Sequence, residues 1–336
     1  MDRLQPLLGR AAALLDRFSA KTETPRGRKI SMAVSAVVFV VAMALGIKGL
    51  PSGDRELQWW AILLTSVVGV PLLIGLNALE YMASGAVLGH KIGLRVAMPI
   101  AIYARAANLL PLPGSALVRM QGLKREGSSY GRAASATLAT ALFWLGGSLL
   151  VGAVVLIGIR PWLALLFGAG GVVVSLVGHT AVRSLVARRE DAPPGEAIRR
   201  SGVLLGVEIL MVIVRGVRFW LVMVGFDLGG SFAGAMLLPL AGVLSSAIGF
   251  FPSGFGIREV ISGALSRLVG DPASSGLLAS GLDRLVSLPV MAVIALIVGV
   301  MGRREVPGEA EVVAGEHVVD VEDEVAVEVA PDPEAV

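Results

Sequence analysis

The chain reads as an all-α polytopic membrane protein, with about six full spans and two broken, re-entrant hairpins arranged as an inverted repeat. Three observations predict this. Of 336 residues, 55% are hydrophobic and 16% charged, against ~25% charged in ordinary soluble domains. The charges are clustered, leaving several uncharged runs at or above the ~18 residues that mark a transmembrane helix. Two further apolar runs are broken by proline and glycine, where freed backbone groups at membrane depth need protein or a water-filled cavity around them. No large soluble domain fits in the remainder.

Residues 3–18 place Leu4, Leu7, Leu8, Ala11, Leu14, Leu15 and Phe18 on one helical face and Arg3, Arg10 and Arg17 on another. That pattern suits a helix lying on the cytoplasmic leaflet. With the basic stretch Lys21–Lys29 it makes a cytoplasmic amphipathic segment, 1–29. Ile30–Ile47 is the first span, and the basic residues before it hold the N-terminus in the cytoplasm. Leu57–Leu79 is the second, with Trp59 and Trp60 at the interface. Asn77 and Glu80 stand near its far end.

Val96–Arg132 is apolar but interrupted by Arg105, Asn108, Pro111, Pro113, Gly114 and Arg119. Basic residues flank it on both sides, so it is expected to enter and leave on the cytoplasmic side as a hairpin. Ala133–Ile159 and Trp162–Val182 are the third and fourth spans, joined at Arg160–Pro161. The basic loop after them contains Pro193, Pro194 and Gly195, a natural boundary between two halves, about 57–186 and 202–302. Gly202–Phe226 is the fifth span and carries Glu208, Arg215 and Arg218.

Leu228–Ile257 runs 30 residues without a charge but breaks in FFPSGFGIRE at Pro252, Gly254 and Gly256. The expectation is a second hairpin, followed by a short amphipathic helix, Gly256–Leu268. A competing count takes Leu228–Phe251 as a full crossing. Gly276–Gly302 is the last span, with Asp283 and Arg284 in its first third. It closes the membrane domain, 30–304, and puts the C-terminus in the cytoplasm. Residues 305–336 hold 11 acidic residues and no basic one, a composition expected to be disordered. All 29 basic residues therefore precede the tail against 15 acidic ones, an excess of 14. That excess fits positive-inside bias and anionic lipid surfaces, not nucleic acid.

The two breaks share a spacing: Pro113 precedes Arg119 by six positions, as Pro252 precedes Arg258. By helix counting they open to opposite sides. Inverted repeats whose broken helices meet near the midplane are a transporter signature. NLLPLPGSALVRMQGLKREG followed by FFPSGFGIREVISGAL resembles the flippase-like membrane family typified by the transmembrane region of lysylphosphatidylglycerol synthases, over roughly residues 30–302. That family often places an acidic residue after the first glycine. Ser115 and Ala116 follow Gly114 in this chain, so no role of that carboxylate carries over. The synthases' soluble aminoacyl-transfer domain has no counterpart, so the resemblance implies no synthase activity.

Charges inside spans are expensive and mark partners or pathways. The expected lipid-binding set is Arg105, Asn108, Pro111, Gly114, Arg119, Arg215, Arg218, Pro252, Gly254, Gly256, Arg258, Glu259 and Arg284. Helix starts after each break would present backbone N–H groups to an anion. Glu80, Glu208, Glu259 and Asp283 are the candidate proton carriers. The plain alternatives are ion pairs, a snorkelling arginine and a dipole-favoured Glu259.

The chain has no cysteine and three scattered histidines, so neither a metal site nor a cofactor is expected. The function expected is movement of an anionic phospholipid or lipid-linked carrier between leaflets of the inner membrane, without nucleotide hydrolysis or catalysis. A lipid-synthesis enzyme is a candidate partner. The rival is a non-transporting scaffold for a lipid or envelope synthesis complex. A lipid-modifying enzyme ranks lower, because Phe255 stands where a lipid phosphatase P-S-G-H element needs its histidine.

Overall fold

A computed structural model describes residues 25–49, 56–107, 114–189, 192–248 and 256–304. The amphipathic stretch 3–18, the acidic tail 305–336, and Asn108, Pro111, Pro252 and Gly254 lie outside the described residues. The described chain is helical throughout, with no strand among its residues. The helices are α1 (Pro25–Lys48), α2 (Trp59–Leu88), α3 (Leu94–Ala107), α4 (Gly114–Arg125) and α5 (Tyr130–Leu156), then α6 (Pro161–Val186), α7 (Glu196–Gly225), α8 (Phe232–Ile248), α9 (Ile257–Leu268) and α10 (Ala273–Arg304). By compactness the chain divides into a body, Met1–Ala295, and a segment from Leu296 onward whose described residues are the last turns of α10.

Among the described residues four helices are long and apolar enough to cross a membrane: α2, α5, α6 and Ala273–Val298 of α10. Val37–Lys48 in α1 and Phe232–Ser246 in α8 are shorter apolar stretches. The expected fifth span falls on α7, which at 30 residues equals α2 in length. Its length suffices, but its charges set it apart from an ordinary apolar crossing. The chain is thus an all-α polytopic membrane protein, as its hydropathy predicts.

Local sequence explains the boundaries. Ser129 caps α5, its hydroxyl accepting from the Arg132 N–H at 3.4 Å. Pro161 opens α6 at a position where its missing N–H costs nothing. Within α2 the turns at Leu64–Gly69 widen to π geometry just ahead of Pro71. A proline cannot donate to the carbonyl four residues back, and its ring crowds that carbonyl, so a wider turn relieves both problems. The loop before α8 is tied to the loop before α10, with the Asp271 carboxylate accepting from the Ser231 N–H and hydroxyl, both at 2.9 Å.

α5 and α6 pack closely because glycine faces glycine. A Cβ on Gly171 would stand 3.0 Å from the Gly146 carbonyl, and one on Gly146 would stand 3.1 Å from the Gly171 carbonyl. Small residues let membrane helices approach in this way. The outward faces of α6, with Trp162, Leu165, Val173 and Leu176, are exposed and apolar, as lipid-facing surfaces should be.

Among the described residues two large apolar cores fill the body, with a small third of Leu73, Leu76 and Met211 between α2 and α7. One joins α2 to α7 through Tyr81, Leu88, Ala101, Leu123, Phe143, Val182 and Leu204. The other joins α5–α10 through Leu156, Phe219, Met223, Leu237, Leu265 and Leu278. Helix α7 belongs to both, giving Leu204 to the first and Phe219 and Val222 to the second. Between those positions lie Glu208, Arg215 and Arg218.

Candidate functional site

The inward face of α7 runs Leu204, Glu208, Met211, Arg215, Arg218, Val222, steps of three and four that keep one side of a helix. The charges therefore occupy core positions, and each must find a partner or a cavity. Around them gather Asn77 and Glu80 from α2, Arg105 from α3, Arg119 from α4, Arg258 and Glu259 from α9, and Asp283 and Arg284 from α10. Six arginines and four carboxylates from both halves of the chain form one continuous electrostatic cluster.

Three arginines are closely held. Arg119 grips Glu80 through both guanidinium ends, one at 2.8 Å, and donates to the Asn77 amide oxygen at 2.9 Å. Asn77 in turn donates to the Leu73 carbonyl at 2.5 Å, which fixes its orientation. Arg218, almost fully buried, donates to Asp283 at 2.7 Å and to the Ser287 hydroxyl at 2.6 Å. Arg284 reaches the wholly buried Glu259 at 3.3 Å. Arg119 and Arg218, each doubly bonded, belong to the strong class of charge-assisted contact, whereas Arg284 forms a single ion pair.

Glu259 has a second task. Its other oxygen accepts from the Gly256 N–H at 2.7 Å, closing the first turn of α9. Glycine has no side chain to return the bond, so only this half of a capping box exists. Gly256 takes φ +82°, a conformation costly for other residues, and a Cβ there would stand 2.7 Å from the Val38 Cβ of α1. Gly256 and Gly114 thus start the two helices that follow the breaks, as their positions in the sequence predict.

The remaining arginines are held loosely. Arg258 lies 3.6 Å from Asp283, beyond hydrogen-bond length, and 5.3 Å from the centre of the Phe219 ring, with 21% of its side chain exposed. Arg215 stacks 4.8 Å above Trp144, a cation–π contact in place of an ion pair. Arg105 makes no hydrogen bond or ion pair among the described residues. Its electrostatic neighbours are Arg218, Arg215, Arg258 and Asp283. Glu208 is 1% exposed, and neither oxygen has a donor. It faces Glu80, Arg215 and Arg119.

Every charged residue expected in the site is therefore in this cluster. Asp283 and Arg284 do not pair with each other, because neighbours on a helix point apart; each pairs across to another helix. The sequence reading missed Asn77 as a support for Arg119, Trp144 as the platform for Arg215, and Ser287 as the second acceptor of Arg218. Gly69 was missed too. A Cβ there would stand 2.8 Å from the Arg218 Cδ, so this glycine in the π segment makes room for the arginine's stem. Among the described residues no group of three His, Cys, Asp or Glu could hold a metal ion.

Outside the cluster, an apolar groove of about 470 Å³ runs between α1 and α9, lined by Val37, Val41, Leu45, Val260, Ala264 and Leu277. Helix α9 is amphipathic in an unusual sense: its small polar face, Ser262, Gly263 and Ser266, is buried against α10, while Val260 faces outward.

Charges gathered inside a helical membrane body mark partners or pathways. The chain belongs to the family of the lysylphosphatidylglycerol synthase TM region, whose profile matches residues 29–295. This makes it a membrane protein related to lipid metabolism or transport. No curated protein sequence and no solved structure gives a significant match.

Proposed function

We propose that this protein translocates an anionic phospholipid or lipid-linked carrier between leaflets, and is not itself an enzyme. The observation that carries the reading is the cluster itself: six arginines against four carboxylates, drawn from both halves and buried where only a charged ligand or an ion pair repays the desolvation. The phosphate would meet Arg105, Arg215 and Arg258, while the acyl chains follow apolar surface such as the α1–α9 groove. The helix pairs α3–α4 and α8–α9 are the proposed inverted hairpins, re-entering from opposite sides, and their relative motion would expose the head group to each leaflet in turn. No nucleotide-binding motif stands in the sequence, so movement is passive or ion-coupled. Glu208, facing Glu80 without a donor, is the best placed of the candidate proton carriers. The setting proposed is the inner membrane, with both termini cytoplasmic and a lipid-synthesis enzyme as partner.

The test is reconstitution of the full chain into vesicles containing fluorescent phospholipids. Arg258→Ala should slow translocation by about tenfold, the size of a lost charge-assisted contact, with thermal stability near that of the parent. Unchanged translocation in a folded variant would overturn the proposed site.

A further inference from the structure

Away from the charge cluster, the groove between α1 and α9 has a shape and a single charge that define an occupant. Its two walls meet at one end, where a Cβ on Gly256 would stand 2.7 Å from the Val38 Cβ. Its floor is α10, drawn so close that a Cβ on Gly263 would stand 2.9 Å from the Leu277 Cγ. From Val260 to Arg267 the slot follows two turns of α9, about 10 Å at the usual helical rise. The 12 residues of α9 measure about 18 Å, close to the ~15 Å of hydrocarbon in one leaflet. A helix, about 10–12 Å across with its side chains, is too wide for a slot whose walls touch. An acyl chain is not.

The open end carries the one charged side chain of the lining, Arg267. It is exposed, on the last turn of α9, and a short turn joins it to the apolar span of α10. α1 ends at the same level, the Gly49 carbonyl accepting from the Ser274 hydroxyl at 3.2 Å. Arg267 thus stands at a membrane surface. The closed end of the slot lies deeper, in the helical turn that carries Arg258. Arg267 makes no hydrogen bond or ion pair among the described residues. The nearest acid in sequence, Asp271, is engaged by the Ser231 N–H and hydroxyl, both at 2.9 Å.

We propose that this groove binds one anionic glycerophospholipid, with its phosphate on Arg267 and one acyl chain in the slot. Within a bilayer no hydrophobic force drives a chain onto apolar protein surface. The slot differs from the outward face of α6 by meeting the chain on three sides, which adds dispersion contacts. It also holds a cation at the height of the phosphate. An anionic head group satisfies that cation. A zwitterionic one brings an ammonium as well, and the Asp271 carboxylate is already engaged. That the slot delivers its lipid to the charge cluster rests on the translocation reading; the binding itself does not.

The experiment places the full chain in phosphatidylcholine vesicles with a small fraction of phosphatidylglycerol whose acyl chain bears a photoreactive diazirine. Labelled peptides are mapped by mass spectrometry. Label should collect on Val41, Leu45, Val260 and Ala264 in excess of Leu165, Val173 and Leu176 on the exposed face of α6. The same probe on phosphatidylcholine should label the groove about threefold less, the scale of one exposed charge contact. Arg267→Gln should remove that preference and Arg267→Lys should keep it. Ala264→Phe, which fills the slot from an exposed position, should cut groove labelling about tenfold and leave the label on α6 unchanged. Groove labelling no denser than on α6 means ordinary bilayer lipid and overturns the proposal. So does labelling unmoved by Ala264→Phe, or a preference unmoved by Arg267→Gln. Free glycerol phosphate is the second arm: if it abolishes the preference, the site belongs to the free head group and the lipid assignment falls. Translocation is followed separately in the same vesicles. Translocation without groove labelling sinks this inference alone, and groove labelling without translocation sinks the transport reading alone.

Discussion

Arg119 and Glu80 sit 39 positions apart on α4 and α2, buried and joined at both guanidinium ends. Removing one partner of such a pair strands the other charge, at a cost of about 3–5 kcal/mol in buried examples, whereas removing both is far milder. Glu80→Gln and Arg119→Gln should therefore each lower thermal stability in detergent markedly, and the double variant should recover much of the loss. Additive losses would mean that the two charges do not depend on each other. The charges themselves were legible in the sequence because each interrupts an apolar run. Their partners were not: Arg218 and Asp283 are separated by 65 positions, and no local pattern links them. Asn77 could have been found. It stands three residues before Glu80, one helical turn away and on the same face.

At the scale of elements, hydropathy located every described helix, though ends moved by several residues where caps decide them. The helix that carries the fifth span starts at Glu196, six residues before the expected Gly202 and ahead of the apolar stretch, where Glu196 binds Arg199 and Arg200 at 2.7 Å and anchors the first turn of α7. These bonds, the Arg199 bond first and the Arg200 bond second, hold the Glu196 carboxyl below the usual glutamate range. The folded value is the lower one, so the stabilisation is complete above the unfolded pKa of ~4.3 and fades as pH falls through the folded value. Glu196→Gln should accordingly be less stable than the parent at pH ~7, and the two melting temperatures should converge as pH drops below ~4. A gap that persists in acid would place the effect elsewhere. The π turns ahead of Pro71 were not legible. The proline was visible, but the Arg218 stem that lies against Gly69 comes from another helix and no local pattern announces it.

For the molecule as a whole, charge asymmetry and clustered apolar runs disclosed an all-α membrane protein, and the two broken segments pointed to its centre. What they could not disclose is that α7 threads both apolar cores and carries three charges between them. Helical periodicity marks an inward face without saying what the face meets. Nor could they reveal that α1 closes over the start of α9. Gly256→Ala combines a strained φ with a Cβ driven into Val38, and should destabilise the protein by about 1–3 kcal/mol. Melting of the detergent-solubilised variant measures this directly, and an unshifted transition would show that α1 gives way there freely.

That contact carries a consequence for biosynthesis. The carbonyl of Gly49, at the end of α1, accepts from the Ser274 hydroxyl 225 positions later, and Gly46 lies against Leu278. Although α1 emerges from the ribosome before every other described helix, its docking surface on α9 and α10 is nearly the last part of the body to be made. It must wait in the bilayer, unpartnered on that side, while the intervening helices insert. Docking of α1 therefore falls at the same late stage at which α9 and α10 bring Arg258, Glu259, Asp283 and Arg284 to the polar interior.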